Sequence, residues 1–479
     1  MNLLQKLQNH IQGFVRSDSS TLQNFSRDES IFTLTPQVVV SPSSVQDIVT
    51  VVQIANDFDA SVVLRGGGSG TTGASLGDQI VIDFRTHMNR ILDVQKDHAW
   101  VEPGVFLGEL NEKVSCHGQV FGPDPGSQAY ACIGGVVGNN ASGPHALQYG
   151  MTRDHVLDID CVSADGKKRS SKAMLIDYAQ MVQSIKSKQD IIKKTSIGVS
   201  KNSSGWYLDT FISDQPDFAK LLTGSQGELA IFEKIHLKLV DKPSVKSFAL
   251  YTFKNKIQAA EFVPEILSMN PACVELIDET ISTSIYEYDE KLCTSVGIEN
   301  YQVSLWVEWL DIQPQTSEMI FYTNDLVLIQ KIWNLRSCAS KIIHNKAIHK
   351  KPLRCIEDAC VPVDRLPLYI KNIESLFQEH GIEASVFGHI GNGHLHINPW
   401  IDVREPFVEK KVYQLMDDFY KIVLSHHGTI SGEHGDGFLR KKYLQDQWRD
   451  RCELFTLVKN TMDPNLRFGS RKDLLFVYA

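Results

Sequence analysis

Paired cysteines, long apolar runs and a cationic surplus are all missing from this chain, and each absence narrows what it can be. Its nine cysteines (Cys116, Cys132, Cys161, Cys273, Cys293, Cys338, Cys355, Cys360 and Cys452) never form a CxxC pair. A cysteine-rich zinc site or an iron–sulfur cluster is therefore not expected, and an odd count fits a reducing compartment. No stretch approaches the ~18 apolar residues needed to span a bilayer, and the N-terminus has no signal-like apolar core. Asp and Glu outnumber Lys and Arg by 57 to 48, a net charge of −9, which argues against a nucleic-acid backbone as partner. Local basic runs exist, such as Lys341 to Lys351, and read as a solvated face or else as an anion or partner contact. No internal repeat or low-complexity linker breaks the sequence.

What is present is an ordinary globular composition, 42% hydrophobic and 22% charged, over 479 residues. That length predicts two or three lobes. The first residues place Leu3, Leu4, Leu7, Ile11 and Val15 at helical spacing, a helix expected to pack on its own protein rather than on a membrane. From 37 to 83 the pattern is βαβ: strand QVVVSP, helix SSVQDIVTVVQIANDF opening on serines, then strand SVVLRGG running into glycines. DQIVIDF, AWVEPGV, HVLDIDCV and IFEKIHLKLV supply further strands. From about 244 the pattern becomes α+β: strand SFALYTF, alternating strand 300–310, helices around 317–343 and 363–380, strands ASVFGHI and HLHINPW, and a long amphipathic helix at 405–427. The expected divisions are an N-terminal helix (1–30), a first domain (31–243), a second domain (244–428) and a C-terminal segment returning to the active site (429–479).

Two features carry chemistry. RGGGSGTTG (65–73) follows a strand, as a phosphate loop does, but lacks the lysine of GxxxxGK[ST] and the spacing of G-x-G-x-x-G. Glycines let backbone N–H groups converge on an anion, with Ser69, Thr71 and Thr72 adding hydroxyls; such turns also occur without ligands. The second feature is FGHIGNGHLHINPW (387–400) with ISGEHGDGFLR (430–440). His394, His396 and Asn398 stand at period two, hence on one face of a strand, with His389 on the strand before the GNG turn. Imidazoles with a carboxylate suit a divalent transition metal such as zinc, with a position left open for substrate. Adjacent Glu433 and His434 are expected to face different sides of the chain, and Asp436 to serve a turn or to support the ligands from behind rather than act as a catalytic acid.

VVLRGGGSGTTGAS, PDPGSQAYACIGGVVGNNASGPHALQYGMTRDHVLDIDCV, KNSSGWYLD and LLTGSQGELAIFEKIHLKL occur in that order. In this the chain resembles the FAD-linked oxidoreductases of the vanillyl-alcohol oxidase type, in the branch of the D-2-hydroxyacid dehydrogenases, from about residue 30 to 475. The resemblance implies an α+β architecture, with a two-subdomain FAD-binding lobe and an antiparallel-sheet substrate, or cap, domain. It implies that Arg65, Gly66, Gly67, Gly68, Ser69, Gly70 and Thr71 wrap the FAD pyrophosphate. Pro123, Asp124, Gly134, Gly135, Asn140, Ser142 and Gly143 would line the flavin side, with Gly224, Ser225, Gly227 and Ile231 on a later strand. Ser69 stands where covalently flavinylated relatives carry histidine, so FAD is expected without a covalent bond, and Cys132 reads as a packing residue. By the same resemblance His389, His396 and Glu433 are metal ligands, zinc or manganese being expected, His434 is the base, and Arg336, with Ser340 on its helix face, grips the substrate carboxylate.

Some positions depart from the family: Gln226 replaces the usual glutamate, Glu228 threonine, Ala230 glycine and Trp206 tyrosine. His394 stands where asparagine or cysteine is usual, which leaves a substrate contact and a mere strand neighbour both open. No lysine near 354–362 matches the one that holds substrate in some relatives. The implied reaction is oxidation of a small 2-hydroxyacid, with electrons passed to a separate acceptor such as a quinone or an electron-transfer flavoprotein. An alkylglycerone-phosphate-synthase-like non-redox enzyme and a flavin-binding subunit without catalysis are the alternatives. A cytoplasmic place is expected, with peripheral membrane contact and a homodimer left open.

Overall fold

Alternating apolar strands and capped amphipathic helices divide the computed structural model into three main sheets. It describes residues 1–312, 314, 319–346 and 349–477, with side chains throughout except at 340–346. The basic run from Lys341 and the side chain of Ser340 thus fall largely outside the described residues.

The first sheet has four strands, in the order Phe14–Arg16, Val38–Ser41, Ile80–Asp83, Val62–Arg65, the last three parallel. Parallel pairing requires a crossover, supplied by helix Val45–Asp57, whose Ser44 side chain accepts the Asp47 N–H at its N-terminus. The N-terminal helix is Leu3–His10, with Leu7 fully buried against this layer; Val15 belongs to the edge strand, not to the helix. A second, antiparallel sheet of five strands runs Lys168–Ser170, Val156–Val162, Ile231–Lys238, His98–Val101, Ile91–Val94. Val162 and Ile231 pack into the core of the first sheet, which fuses the two layers into one lobe.

The third sheet has seven strands, all antiparallel: Phe321–Thr323, Lys246–Phe253, Val303–Leu310, Cys273–Ile277, Glu383–Gly388, His396–Asp402, Lys350–Pro352. Helices Lys256–Leu267, Leu366–His380 and Val408–Ser425 pack on one face. Helix Leu326–Lys346 covers the other with its Ile329, Ile332 and Leu335. The expected helix from 317 begins later, because Phe321–Thr323 pairs as an edge strand with Phe248 to Leu250. His389 lies just beyond its strand, opening a single 3-10 turn, Ile390–Asn392, and Gly393 in the left-handed region (φ 75°) reverses the chain. The tail closes back on the first lobe: Arg467 accepts the Val62 N–H, and Leu475–Phe476 pairs with Phe32–Thr33. Among the described residues no helix is long and apolar enough to cross a membrane.

Candidate active site

Between the first lobe and the seven-stranded sheet lies a cleft of about 990 Å³. Arg65 to Thr71, Gly134, Gly135 and Gly227 line one side; Trp333, Arg336, His389, His396, Glu433 and His434 line the other. The two features singled out in the sequence therefore share one cavity. Glycine is required at the loop for reasons of space. A Cβ on Gly67 would sit 1.8 Å from the Tyr130 carbonyl oxygen, and Gly68 has a φ of +71°. A Cβ on Gly135 would meet nothing within 4 Å, so any side chain there would fill the cleft itself. A cradle of bare backbone next to an open volume of this size fits a dinucleotide such as FAD.

Other residues expected on the flavin side back the cleft without lining it. Pro123 is buried, and the Asp124 carboxylate receives His145 Nδ1 at 2.6 Å. Asn140, at φ 50°, accepts the Arg153 N–H, and the Ser142 hydroxyl donates to Glu433 at 2.8 Å. The Gly143 carbonyl accepts from Lys201. Gly224 donates its N–H to Val137, the Ser225 N–H bonds Leu222, and Ile231, on a strand of the second sheet, packs into the core of the first. These positions hold the wall in place.

At the far end, His389 Nε2 and His396 Nε2 lie 3.4 and 3.5 Å from the same oxygen, Glu433 Oε1. The opposite nitrogen of each ring is already used. His389 Nδ1 bonds the buried Glu275 carboxylate, and His396 Nδ1 bonds the Glu357 carbonyl at 3.0 Å. Each ring thus presents an Nε2 lone pair to the common focus, the arrangement in which outer partners orient metal-binding histidines. Two imidazoles and a carboxylate fit a divalent ion with a position to spare. Glu433 and His434 do not diverge as an extended chain would have them do. His434 Nε2 lies 3.6 Å from Glu433 Oε1, and the His434 ring stacks on His396 with centroids 5.6 Å apart.

Two acidic residues absent from the sequence reading organise this end. Asp358 accepts the N–H groups of Glu433 and His434 and the Ser431 hydroxyl, which pins the 431–434 loop beneath the sheet. Glu357 Oε1 accepts from His434 Nδ1 at 2.7 Å and from the Thr71 hydroxyl at 2.8 Å, joining His434 to the glycine loop. Burial alone would lower the His434 pKa, but the facing carboxylates of Asp358 and Glu357 outweigh it and hold the imidazole up at about 9. Burial pushes the Glu357 and Glu433 carboxyls the other way, yet their cationic neighbours keep both well below the usual range. Arg336 sends Nε and Nη2 to Glu275 at 3.1 and 3.0 Å. One buried carboxylate therefore ties this arginine to His389.

Gln226 sits in the left-handed region at φ 51°. Its side chain donates to Asn139 and the His434 carbonyl and accepts the Gly437 N–H, so it braces the loop that carries His434. Asp436 accepts the Gly205 N–H, a turn role. The signal that would have exposed Glu357 and Asp358 was the adjacent pair in RCIEDACVP, but acidic pairs are common on surfaces and nothing local marks this one as buried.

The FAD binding domain family matches residues 36–170, and the FAD linked oxidases, C-terminal domain, family matches residues 242–472. D-2-hydroxyglutarate dehydrogenase of Haemophilus influenzae is 26% identical over 97% of this chain and 50% of its own length. The chain thus spans about half the length of the D-2-hydroxyglutarate dehydrogenases it matches. D-lactate dehydrogenase of Archaeoglobus fulgidus is 27% identical, over 89% of each chain. A solved alkyldihydroxyacetonephosphate synthase superposes with a TM-score of 0.68 at 16% identity, covering 98% of this chain and 85% of that one, a likeness of fold. With both family domains in sequence order and the glycine cradle facing the histidine cluster, the chain belongs to the FAD-linked oxidases that join an FAD binding domain to the FAD linked oxidase C-terminal domain.

Proposed function

We propose that the chain oxidises a D-2-hydroxyacid to the 2-oxoacid, with non-covalent FAD in the glycine-lined half of the cleft and a divalent metal at His389, His396 and Glu433. The observation that carries this reading is the convergence of both Nε2 atoms on Glu433 Oε1, beside His434, within the cavity that also contains the glycine loop. FAD supplies the acceptor for the hydride leaving the α-carbon, and a dication supplies Lewis acidity that lowers the substrate hydroxyl pKa.

The protein's own groups do the rest. His434 keeps a proton on Nδ1 through Glu357, so Nε2 is the atom that takes the hydroxyl proton. The hydrogen-bonded Glu357 fixes that tautomer and favours the imidazolium formed. Arg336 commits two donors to Glu275 and leaves Nη1 for the substrate carboxylate. Trp333 and Phe387, on the cap side of the cleft, exclude water from the α-carbon. Electrons then pass to a separate acceptor, a quinone or an electron-transfer flavoprotein.

An anaerobic screen of D- and L-2-hydroxyacids, with and without a chelator, tests the reading. Bleaching of the yellow flavin by D-acids, abolished by the chelator, is expected. His434→Ala is expected to stop bleaching while flavin content stays intact. No bleaching by any acid with metal supplied refutes the reading and favours a flavin-binding subunit without catalysis.

A further inference from the structure

Four ligand-type residues, not three, crowd the proposed metal site: atoms of His389, His394, His396 and Glu433 lie within 4.8 Å of one another. Four protein ligands make a closed tetrahedral centre, whereas three leave a position for substrate. We infer that Lys201 keeps His394 out of the ligand set and so holds the centre open at three protein ligands. The inference rests on the metal assignment made above.

The hydrogen bonds carry the argument. Lys201 is fully buried, and its ammonium has three N–H donors and no lone pair. Three acceptors surround it: the Gly143 carbonyl at 3.1 Å, Glu433 Oε2 at 2.9 Å and His394 Nδ1 at 3.4 Å. His394 Nδ1 therefore spends its lone pair on Lys201, and the ring proton sits on Nε2, which donates to Asp358 Oδ1 at 3.0 Å. Neither nitrogen is left for an ion. His389 and His396 are wired the opposite way, with Nδ1 engaged and Nε2 turned towards Glu433 Oε1. The same lysine, helped by the Ser142 hydroxyl, occupies Glu433 Oε2 and leaves Oε1 as the ligand oxygen. The His394 ring is also clamped: a Cβ on Gly432 would approach its Cδ2 at 2.7 Å. Lys201 is thus a positioning residue. It acts by directing lone pairs and touches no reacting atom.

The test counts imidazoles. Flavin-loaded protein is stripped of metal and titrated with Co²⁺, and ligand number is read from the visible bands and X-ray absorption. Flavin content and melting temperature serve as folding controls. Wild type is expected to show two imidazoles. Lys201→Met frees His394 Nδ1 and is expected to show three, with Co²⁺ held at least tenfold tighter and turnover lost. His394→Asn alone is expected to remain at two, and the double variant to return to two.

Three imidazoles in wild type overturn the inference. So does a Lys201→Met protein that still shows two, or wild type that takes up no Co²⁺ here. If Lys201→Met does not retain flavin, His394→Asn decides: loss of an imidazole refutes, no loss supports. The functional reading is judged separately, by bleaching of wild type. A two-imidazole centre without bleaching sinks that reading and leaves this one. A three-imidazole centre with bleaching does the reverse.

Discussion

Glu357→Gln is the most informative single change, because it removes a charge from the proposed base while leaving its hydrogen-bond acceptor in place. Against the opposing effect of burial, neighbouring carboxylates carry His434 from an ordinary 6.5 to about 9. Glu357 makes the shortest of those contacts, 2.7 Å to Nδ1. An opposite charge at this range is worth roughly one to two pH units, about 1.4–2.7 kcal/mol of preference for the imidazolium. Raising pH deprotonates His434 and makes it competent to accept the hydroxyl proton, so the bleaching rate rises with pH through the base's midpoint. Neutralising Glu357 destabilises the imidazolium and moves that midpoint down. A bound dication lowers the midpoint in both proteins, so the difference between them is the quantity to measure. The assay is the pH profile of the single-turnover bleaching rate at saturating hydroxyacid. A midpoint that stays put or climbs in Glu357→Gln would refute His434 as the base, or Glu357 as the residue that tunes it.

Glu433→Gln leaves the buried Lys201 ammonium without its carboxylate, and a destabilisation of roughly 3–5 kcal/mol is expected by denaturant titration, together with loss of metal at unchanged flavin content. Gly67→Ala drives a Cβ onto the Tyr130 carbonyl, and the flavin-to-protein absorbance ratio of the purified variant is expected to fall severalfold. His145 bridges Asp124 in the first lobe and Glu308 in the seven-stranded sheet, and despite burial these carboxylates raise it to about 10. A folded value above the unfolded one stabilises fully below about pH 6.5, and that contribution is lost as pH rises towards 10. Melting temperature is expected to drop over this window in wild type, and less steeply in His145→Gln.

The βαβ unit at 38–65, the strands His98–Val101, Val156–Val162 and Ile231–Lys238 of the second sheet and the long helix Val408–Ser425 were legible because their causes are local. Period-two and period-3.6 burial, serine caps and glycine turns all sit within a few residues of the elements they define. His389, His396, Glu433 and His434, which the structure brings together in one cleft, were singled out through motif and family resemblance, since their residue types are rare enough in combination to stand out. The edge strand at Phe321–Thr323 was not, because three residues of pairing leave no periodic trace against the helical run that follows.

By itself the sequence determined most of the elements that form, where the glycine-rich loop lies, and which side chains are candidates for metal and proton chemistry. Only the tertiary structure decided how those side chains are wired. Glu275, the neighbours Glu357 and Asp358, and Lys201 come from one strand and two distant loops, and their roles depend on which nitrogen of which ring each one meets. A hydrogen bond across 193 residues, as between Lys201 and His394, has no local signature, because it arises when the seven-stranded sheet closes over the first lobe. It is that closure which gives three histidines of one sequence motif two opposite proton arrangements.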